Sequence, residues 1–189
     1  MSDKRFKPEK AGKLFSPERQ KLLPVEKILA YLDLEQADSV ADLGAGNGYF
    51  TVPMAKKVTT VHAVDIEPQM LNMLNDYAVD ENVSNIEFIT SDLEAINMEG
   101  NSVNKVFSAF VMHEISNLKK AFEEINRIMI KGGQLFILDW EVEENPEMGP
   151  PPHERISSER FLSLLQENGF KGQMLYRDGK TYGIKATMN

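Results

Sequence analysis

The chain has 189 residues and a formal net charge of −8, with 42% apolar and 26% charged residues. This length and composition predict one globular domain, 1–189, with a substantial buried core. The absence of cysteine excludes disulfides, cysteine nucleophiles and thiolate metal sites, and we expect no metal ion. The acidic balance argues against nucleic acid as a partner. Because no apolar run approaches the ~18 residues of a membrane span and no signal-peptide core is present, we expect a cytoplasmic protein without a membrane span.

Residues 8–33 are predicted to be helical, within an N-terminal helical extension, 1–37, of the domain. Three prolines occupy possible first positions of helices: Pro8, Pro17 and Pro24. Proline suits these positions because its φ is preset and it has no N–H to satisfy. Phe15 and Leu14 are candidates for covering the ligand site, with Phe15 on the substrate, and plain packing against the sheet is an alternative of at least equal weight.

The most informative stretch of the chain is a strand followed by closely spaced glycines. Ser39–Leu43 is apolar enough for a first strand, and Gly44, Gly46 and Gly48 follow at every second position. A strand that ends in a glycine turn and leads into a helix exposes backbone N–H groups and lets a ligand approach the main chain. The spacing departs from the dinucleotide-binding fingerprint, which requires a glycine at the position of Tyr49.

The chain then alternates strands with helices as far as residue 140. Further strands are predicted at Thr59–Val64, Ile86–Thr90, Val103–Val111 and Gln134–Trp140. Helices are predicted at 49–57, from Pro68 onward, and from Asn117 to a stop at Gly132 and Gly133. Asp65 ends the second strand, 21 residues after Gly44, where an acidic side chain can bind both hydroxyls of a ribose. The alternation predicts an α/β fold, a doubly wound parallel sheet with helices on both faces and a ligand site at the carboxyl ends of its strands.

Residues 141–156, here called the flap, interrupt this alternation with four prolines and five glutamates. We expect an extended segment that lies over the carboxyl edge of the sheet. A helix is predicted to follow, from Ser157 or Ser158 to Asn168. Two strand-like runs then flank an Asp-Gly pair and predict a hairpin: Gly172–Tyr176 and Thr181–Ala186.

Five short motifs, taken together, resemble those of the class I S-adenosylmethionine-dependent methyltransferases. They are D-L-G-A-G-N-G at 42–48, V-D-I-E-P at 64–68, S-D-L at 91–93, V-M-H-E-I at 111–115 and K-G-G-Q-L at 131–135. The resemblance implies a Rossmann-like seven-stranded sheet of order 3-2-1-4-5-7-6 with strand 7 antiparallel. The flap is similar to that of the ubiquinone/menaquinone-biosynthesis methyltransferases, and still more to their small uncharacterised relatives.

The resemblance also implies that S-adenosyl-L-methionine is the cofactor and assigns residues to its parts. Those residues are Asp42, Gly44, Ala45 and Gly46 for the methionine part, Asp65 for the ribose, Ile66, Asp92 and Leu93 for the adenine, and Ala109 or Phe110 for the amine. The chemistry agrees, because a carboxylate is a strong acceptor for hydroxyls and ammonium groups. A helix or turn cap is the alternative role for Asp92.

Candidate catalytic residues follow from the chemistry that an acidic acceptor would need. A general base at neutral pH is most simply a histidine. His113 follows the fourth strand, His153 lies in the flap, and Asp139 ends the fifth strand, so each is a candidate. Arg155 is expected to bind an acceptor that carries a carboxylate or enolate, together with His113, His153 and Phe15. Structural or surface roles for both histidines remain open alternatives.

Methyl transfer to a small molecule by in-line displacement is the function that these observations favour. A non-catalytic module that binds S-adenosylmethionine or S-adenosylhomocysteine and regulates a partner is the alternative from another class, and turnover distinguishes the two. A nicotinamide-dependent oxidoreductase is disfavoured by the glycine spacing. The sequence leaves open the acceptor, its methylated atom and the oligomeric state.

Overall fold

The structure is a computed structural model that describes residues 8–188; the first seven residues of the predicted extension lie outside this range. Seven strands form one sheet: β1 Ser39–Leu43, β2 Thr60–Asp65, β3 Ile86–Thr90, β4 Val103–Ala109, β5 Met129–Trp140, β6 Phe170–Arg177 and β7 Thr181–Met188. Their order is β3-β2-β1-β4-β5-β7-β6, and β7 runs antiparallel to both of its neighbours. The predicted fold class and strand order are therefore confirmed.

Six α-helices flank the sheet: α1 Pro17–Leu22, α2 Val25–Ala30, α3 Thr51–Ala55, α4 Pro68–Asp80, α5 Leu118–Ile128 and α6 Ser158–Glu167. Three 3-10 helices cover Pro8–Phe15, Met112–Glu114 and Pro152–Glu154. Across the described residues, no helix is both long and apolar enough to cross a membrane.

Two apolar cores cover the two faces of the sheet, because successive strand side chains point to opposite faces. In β1, Val40 belongs to the core shared with α2, α3 and α4, whereas Ala41 belongs to the core shared with α5 and α6. The central strands are buried on both sides, which explains their nearly continuous apolar sequence. The carboxyl edge of the sheet is thereby held on a rigid support.

The N-terminal helices are joined to this support by hydrogen bonds as well as by apolar packing. The Tyr49 hydroxyl donates to the Leu23 carbonyl at 2.8 Å, and the Asn47 side-chain amide donates to the Ala11 carbonyl at 3.0 Å. Asn47 lies within the glycine turn, and Tyr49 follows it directly. The N-terminal segment is therefore attached beside the carboxyl ends of β1 and β2.

Several predicted boundaries differ from the structure, and the two largest differences have a backbone cause. Strand β4 ends at Ala109 instead of Val111, because Phe110 adopts a φ of 62°, outside the extended region. Helix α5 ends at Ile128, so Gly132 and Gly133 do not terminate it. These glycines lie within β5, in a bulge where the pairing moves from Val103–Met129 to Lys105–Gln134.

Candidate active site

A cleft of about 1520 Å³ lies above the carboxyl ends of β1, β2 and β4. Its floor includes the glycine turn after β1 and residues 109–111 after β4. The N-terminal segment contributes Leu14, Ser16 and Arg19 to one wall, and flap residues 147–151 contribute to another. The cleft thus lies at the carboxyl edge of the sheet, where the alternation of strands and helices predicted a ligand site.

The glycine turn has the backbone conformation that its sequence predicted, with φ values of 78°, 55° and 90° at Gly44, Gly46 and Gly48. The N–H groups of its first three residues, however, already donate within the protein. Gly44 and Ala45 donate to the Val64 carbonyl at 2.8 and 3.0 Å, and Gly46 donates to Asp65 Oδ2 at 2.8 Å. The expectation of exposed donors was wrong for these three residues, because β2 and its terminal carboxylate already accept from them.

Asp65 connects the glycine turn to the start of α4. Its Oδ2 accepts from the Gly46 N–H, and its Oδ1 accepts from the Glu67 N–H at 2.9 Å. Burial raises the pKa of Asp65, and the two backbone hydrogen bonds oppose this effect. Each oxygen of a carboxylate retains a second lone pair. Asp65 and Ile66 both line the cleft, so the carboxylate fits a ligand that carries paired hydroxyls.

Asp42 is a buried carboxylate at the other side of the turn. The Thr51 hydroxyl donates to its Oδ2 at 2.6 Å. Burial raises the pKa of Asp42 to about 7, Thr51 opposes this effect, and the nearby charge of Asp65 adds to it. A cationic group of a ligand would stabilise the ionised form. Asp42 therefore fits an ammonium group.

Gly46 borders the cleft, where the lack of a side chain keeps the space beside the main chain open. A Cβ atom at this position would lie 3.4 Å from Met70 Cε and 3.6 Å from Leu14 Cδ1, and would fill the gap between them. Asp92 and Leu93 border the same cleft. Asp92 Oδ1 also accepts from the Glu94 N–H at 2.8 Å, so the turn-capping role is present as well. These residues together fit the nucleoside and amino-acid parts of the expected cofactor.

The cleft is also bordered by a buried histidine that is paired with a carboxylate. His113 Nδ1 lies 2.7 Å from Asp139 Oδ1, which also accepts from the Trp140 N–H at 2.8 Å. Burial lowers the pKa of His113, but Asp139, Glu114 and Glu154 outweigh it, and the net effect raises this pKa. Because a carboxylate can only accept, Nδ1 carries the proton of a neutral His113 and Nε2 keeps its lone pair.

Three predicted substrate residues do not line the cleft. Phe15 packs edge-on against Tyr49 and Tyr77, with ring centroids 5.5 and 5.1 Å apart. The His153 side chain is 78% exposed. Arg155 is buried, and each of its three guanidinium nitrogens donates to a backbone carbonyl, so it holds the flap together instead of facing the cleft.

Arg19 is a charged residue of the cleft that was not predicted from the sequence. Its guanidinium lies 5.0 Å from the ring centroid of Phe110 and 5.9 Å from that of Tyr49. Burial lowers the pKa of Arg19 to about 10, and Tyr49 opposes this effect. In the sequence nothing separates Arg19 from the other basic residues of the N-terminal segment, since its position depends on how α1 packs.

The strand order, the glycine turn bonded to Asp65 and the cleft above them define a class I S-adenosylmethionine-dependent methyltransferase. A family model described as a methyltransferase domain matches residues 41–137, just over half of the chain. The chain belongs to this family, and its cofactor is S-adenosylmethionine. The predictions of the family, the enzyme class and the cofactor are confirmed.

Individual relatives agree with this assignment. A solved S-adenosylmethionine-dependent methyltransferase from Aquifex aeolicus is 29% identical, with a TM-score of 0.90, and the match covers 98% of this chain and 100% of that one. The uncharacterized methyltransferase YcgJ of Bacillus subtilis is 25% identical over 155 residues, which are 77% of this chain. The ubiquinone/menaquinone biosynthesis C-methyltransferase UbiE of Hydrogenovibrio crunogenus is 31% identical over 105 residues, 53% of this chain. The chain spans only 60% of YcgJ and 41% of UbiE.

Proposed function

We propose that this protein transfers a methyl group from S-adenosylmethionine to a small-molecule acceptor bound in the same cleft. The size of the cleft carries this proposal. Its volume of about 1520 Å³ exceeds the roughly 300–1,000 Å³ of a typical small-ligand pocket, which leaves room for a second molecule beside the cofactor. The name of the relative UbiE, a biosynthetic C-methyltransferase, supports an acceptor of small-molecule type.

The charge of the cleft supports the same class of acceptor. Carboxylates line it from Asp42 to Glu154, and Arg19 is the only arginine or lysine among its described lining residues. A nucleic acid would bring phosphates into this acidic surface, whereas nucleic-acid sites are normally basic. We therefore propose that the protein has no nucleic-acid substrate.

The sulfonium of the cofactor supplies an activated methyl group, so the protein chiefly has to position the reactants. Asp65 and Asp42 would hold the ribose hydroxyls and the ammonium group. Phe110 and Trp140, whose ring centroids are 4.6 Å apart, form an apolar wall of the cleft beneath the flap. Correct positioning and exclusion of water can contribute up to roughly 7–11 kcal/mol to such a reaction.

His113 would act as the general base for an acceptor that loses a proton. It borders the cleft, and its pairing with Asp139 through Nδ1 leaves Nε2 as the acceptor of that proton. Asp139 is itself buried and does not border the cleft, so we assign it the orientation of His113 rather than direct proton transfer. His153 has no such arrangement, and we propose no catalytic role for it.

A screen with methyl-labelled S-adenosylmethionine tests this function. The protein is incubated with a cell extract that has been divided into low-mass metabolites and macromolecules. We expect label in the low-mass fraction, and less of it with His113→Gln. Label found only in macromolecules would contradict a small-molecule acceptor. Tight binding of S-adenosylhomocysteine without transfer to either fraction would instead support the non-catalytic module.

A further inference from the structure

Arg19 occupies an unusual electrostatic position in the cleft. It belongs to α1, and its guanidinium lies against the faces of Phe110 and Tyr49. Such stacking suits a planar guanidinium and leaves its edge free to bind an anion bidentately. The side chain is thus held in place at the wall of the cleft.

No carboxylate of the described part of the chain forms an ion pair with Arg19. Its Nε is buried and makes no hydrogen bond within residues 8–188. A buried charge is costly unless it is paired and hydrogen-bonded. Within residues 8–188 this cation therefore has no acidic partner, although acidic side chains line the rest of the cleft.

The cofactor brings one carboxylate into this acidic cleft, and few groups can receive it. Gly44, Ala45 and Gly46 offer it no free N–H group, because all three already donate within the protein. Asp42 and Asp65 would repel it. Arg19 is the only arginine or lysine among the described lining residues, and it borders Phe110, next to the position implied for the amine.

We propose that Arg19 binds the α-carboxylate of S-adenosylmethionine, so that α1 forms part of the cofactor site. This assignment rests on the cofactor half of the proposed function and is independent of the acceptor. Arg19 would then bind the carboxylate of the amino-acid part, and Asp42 would bind its ammonium group. The carboxylate would also supply the missing partner of the buried guanidinium.

The test compares two ligands that differ in the amino-acid part. S-adenosylhomocysteine carries the carboxylate, and 5′-methylthioadenosine lacks it. Calorimetric titrations of both ligands are made with the wild type, Arg19→Gln and Arg19→Lys. Arg160→Gln is the matched control, because Arg160 is an exposed arginine of α6 paired with Glu167.

Arg19→Gln is expected to weaken S-adenosylhomocysteine binding about 10- to 100-fold, the scale of a hydrogen-bonded charge, and to leave methylthioadenosine binding unchanged. Arg19→Lys should retain part of the affinity, and Arg160→Gln all of it. Equal weakening of both ligands would show a structural role and overturn the proposal. Unchanged S-adenosylhomocysteine binding in Arg19→Gln would overturn it as well. If the wild type binds neither ligand, the cofactor site itself is wrong. This result differs from both outcomes that overturn only the role of Arg19.

Discussion

Replacement of Arg155 by alanine should release the flap from the sheet. Arg155 Nε donates to the Pro150 carbonyl at 2.9 Å, Nη1 donates to the Glu141 carbonyl at 2.8 Å, and Nη2 donates to the Met148 carbonyl. The guanidinium also lies 5.3 Å from the ring centroid of Trp140. The hydrogen bonds join the two ends of the flap to each other, and the ring contact joins the flap to Trp140 at the end of β5.

The magnitude follows from these four contacts. Each hydrogen bond contributes about 0.5–1.5 kcal/mol and the cation–π contact about 0.5–1 kcal/mol, so Arg155→Ala should destabilise the closed flap by about 2–5 kcal/mol. With this destabilisation, the flap of Arg155→Ala should be open much of the time. The released carbonyls would then bind water, which limits the cost to the flap and leaves the sheet folded.

Trp140 is the reporter for this change, because it is the only tryptophan of the chain and packs beneath Gly149 and Arg155. In Arg155→Ala, the fluorescence emission should move to longer wavelength and the acrylamide quenching constant should rise. The control is His153→Ala, which removes an exposed side chain of the same segment and should change neither quantity. An Arg155→Ala protein with the wild-type quenching constant would refute the assignment of Arg155 as the residue that holds the flap.

Three further predictions concern the cofactor side of the cleft. Asp65→Ala should weaken S-adenosylhomocysteine binding by about 1.5–3 kcal/mol in calorimetry, because a charged acceptor is lost, and unchanged affinity in a folded variant would contradict the ribose assignment. Gly46→Val should abolish that binding while circular dichroism shows a retained fold, because φ there is 55° and the side chain would fill the gap beside Met70. Normal binding of S-adenosylhomocysteine by Gly46→Val would show that the cofactor does not bind at the glycine turn. Since the folded-state pKa of Asp42 is raised to about 7 from an ordinary 3.8, the folded protein binds the extra proton between these values. The free energy of unfolding should therefore fall as pH rises from about 4 to 7. Urea unfolding at pH 5 and pH 8 should show a smaller fall for Asp42→Asn than for the wild type. Equal falls in the two proteins would contradict the raised pKa of Asp42.

The sequence could predict the site residues that end a strand or directly follow one. The glycine turn and Asp65 follow adjacent parallel strands, so their proximity follows from the alternation of elements alone. His113 and Asp139 were also expected at this edge, because they follow β4 and end β5. Their pairing was not predicted, because it depends on the turn that Phe110 makes after β4.

The parts that could not be predicted depend on packing between distant segments. Arg155 was expected to face the acceptor because it is one of two basic groups in the flap. The structure instead surrounds it with carbonyls that the proline-rich backbone turns inward. Arg19 was passed over for the opposite reason, since only the docking of α1 onto Tyr49 and Phe110 brings it to the cleft. Likewise, the pairing of Met129 with Val103 extends β5 past the two glycines.

The most direct test of the account is a single-turnover measurement with methyl-labelled S-adenosylmethionine and the low-mass acceptor recovered from the screen. The wild type should transfer one methyl group per chain, at a rate that rises with pH through a pKa above 6.5, since the pKa of His113 is raised. For an acceptor that loses a proton, His113→Gln should slow transfer by about 10²–10⁴-fold without changing the dissociation constant for S-adenosylhomocysteine. Transfer by His113→Gln at the wild-type rate and with the same pH profile would contradict the central claim that this cleft, which His113 borders, performs the reaction.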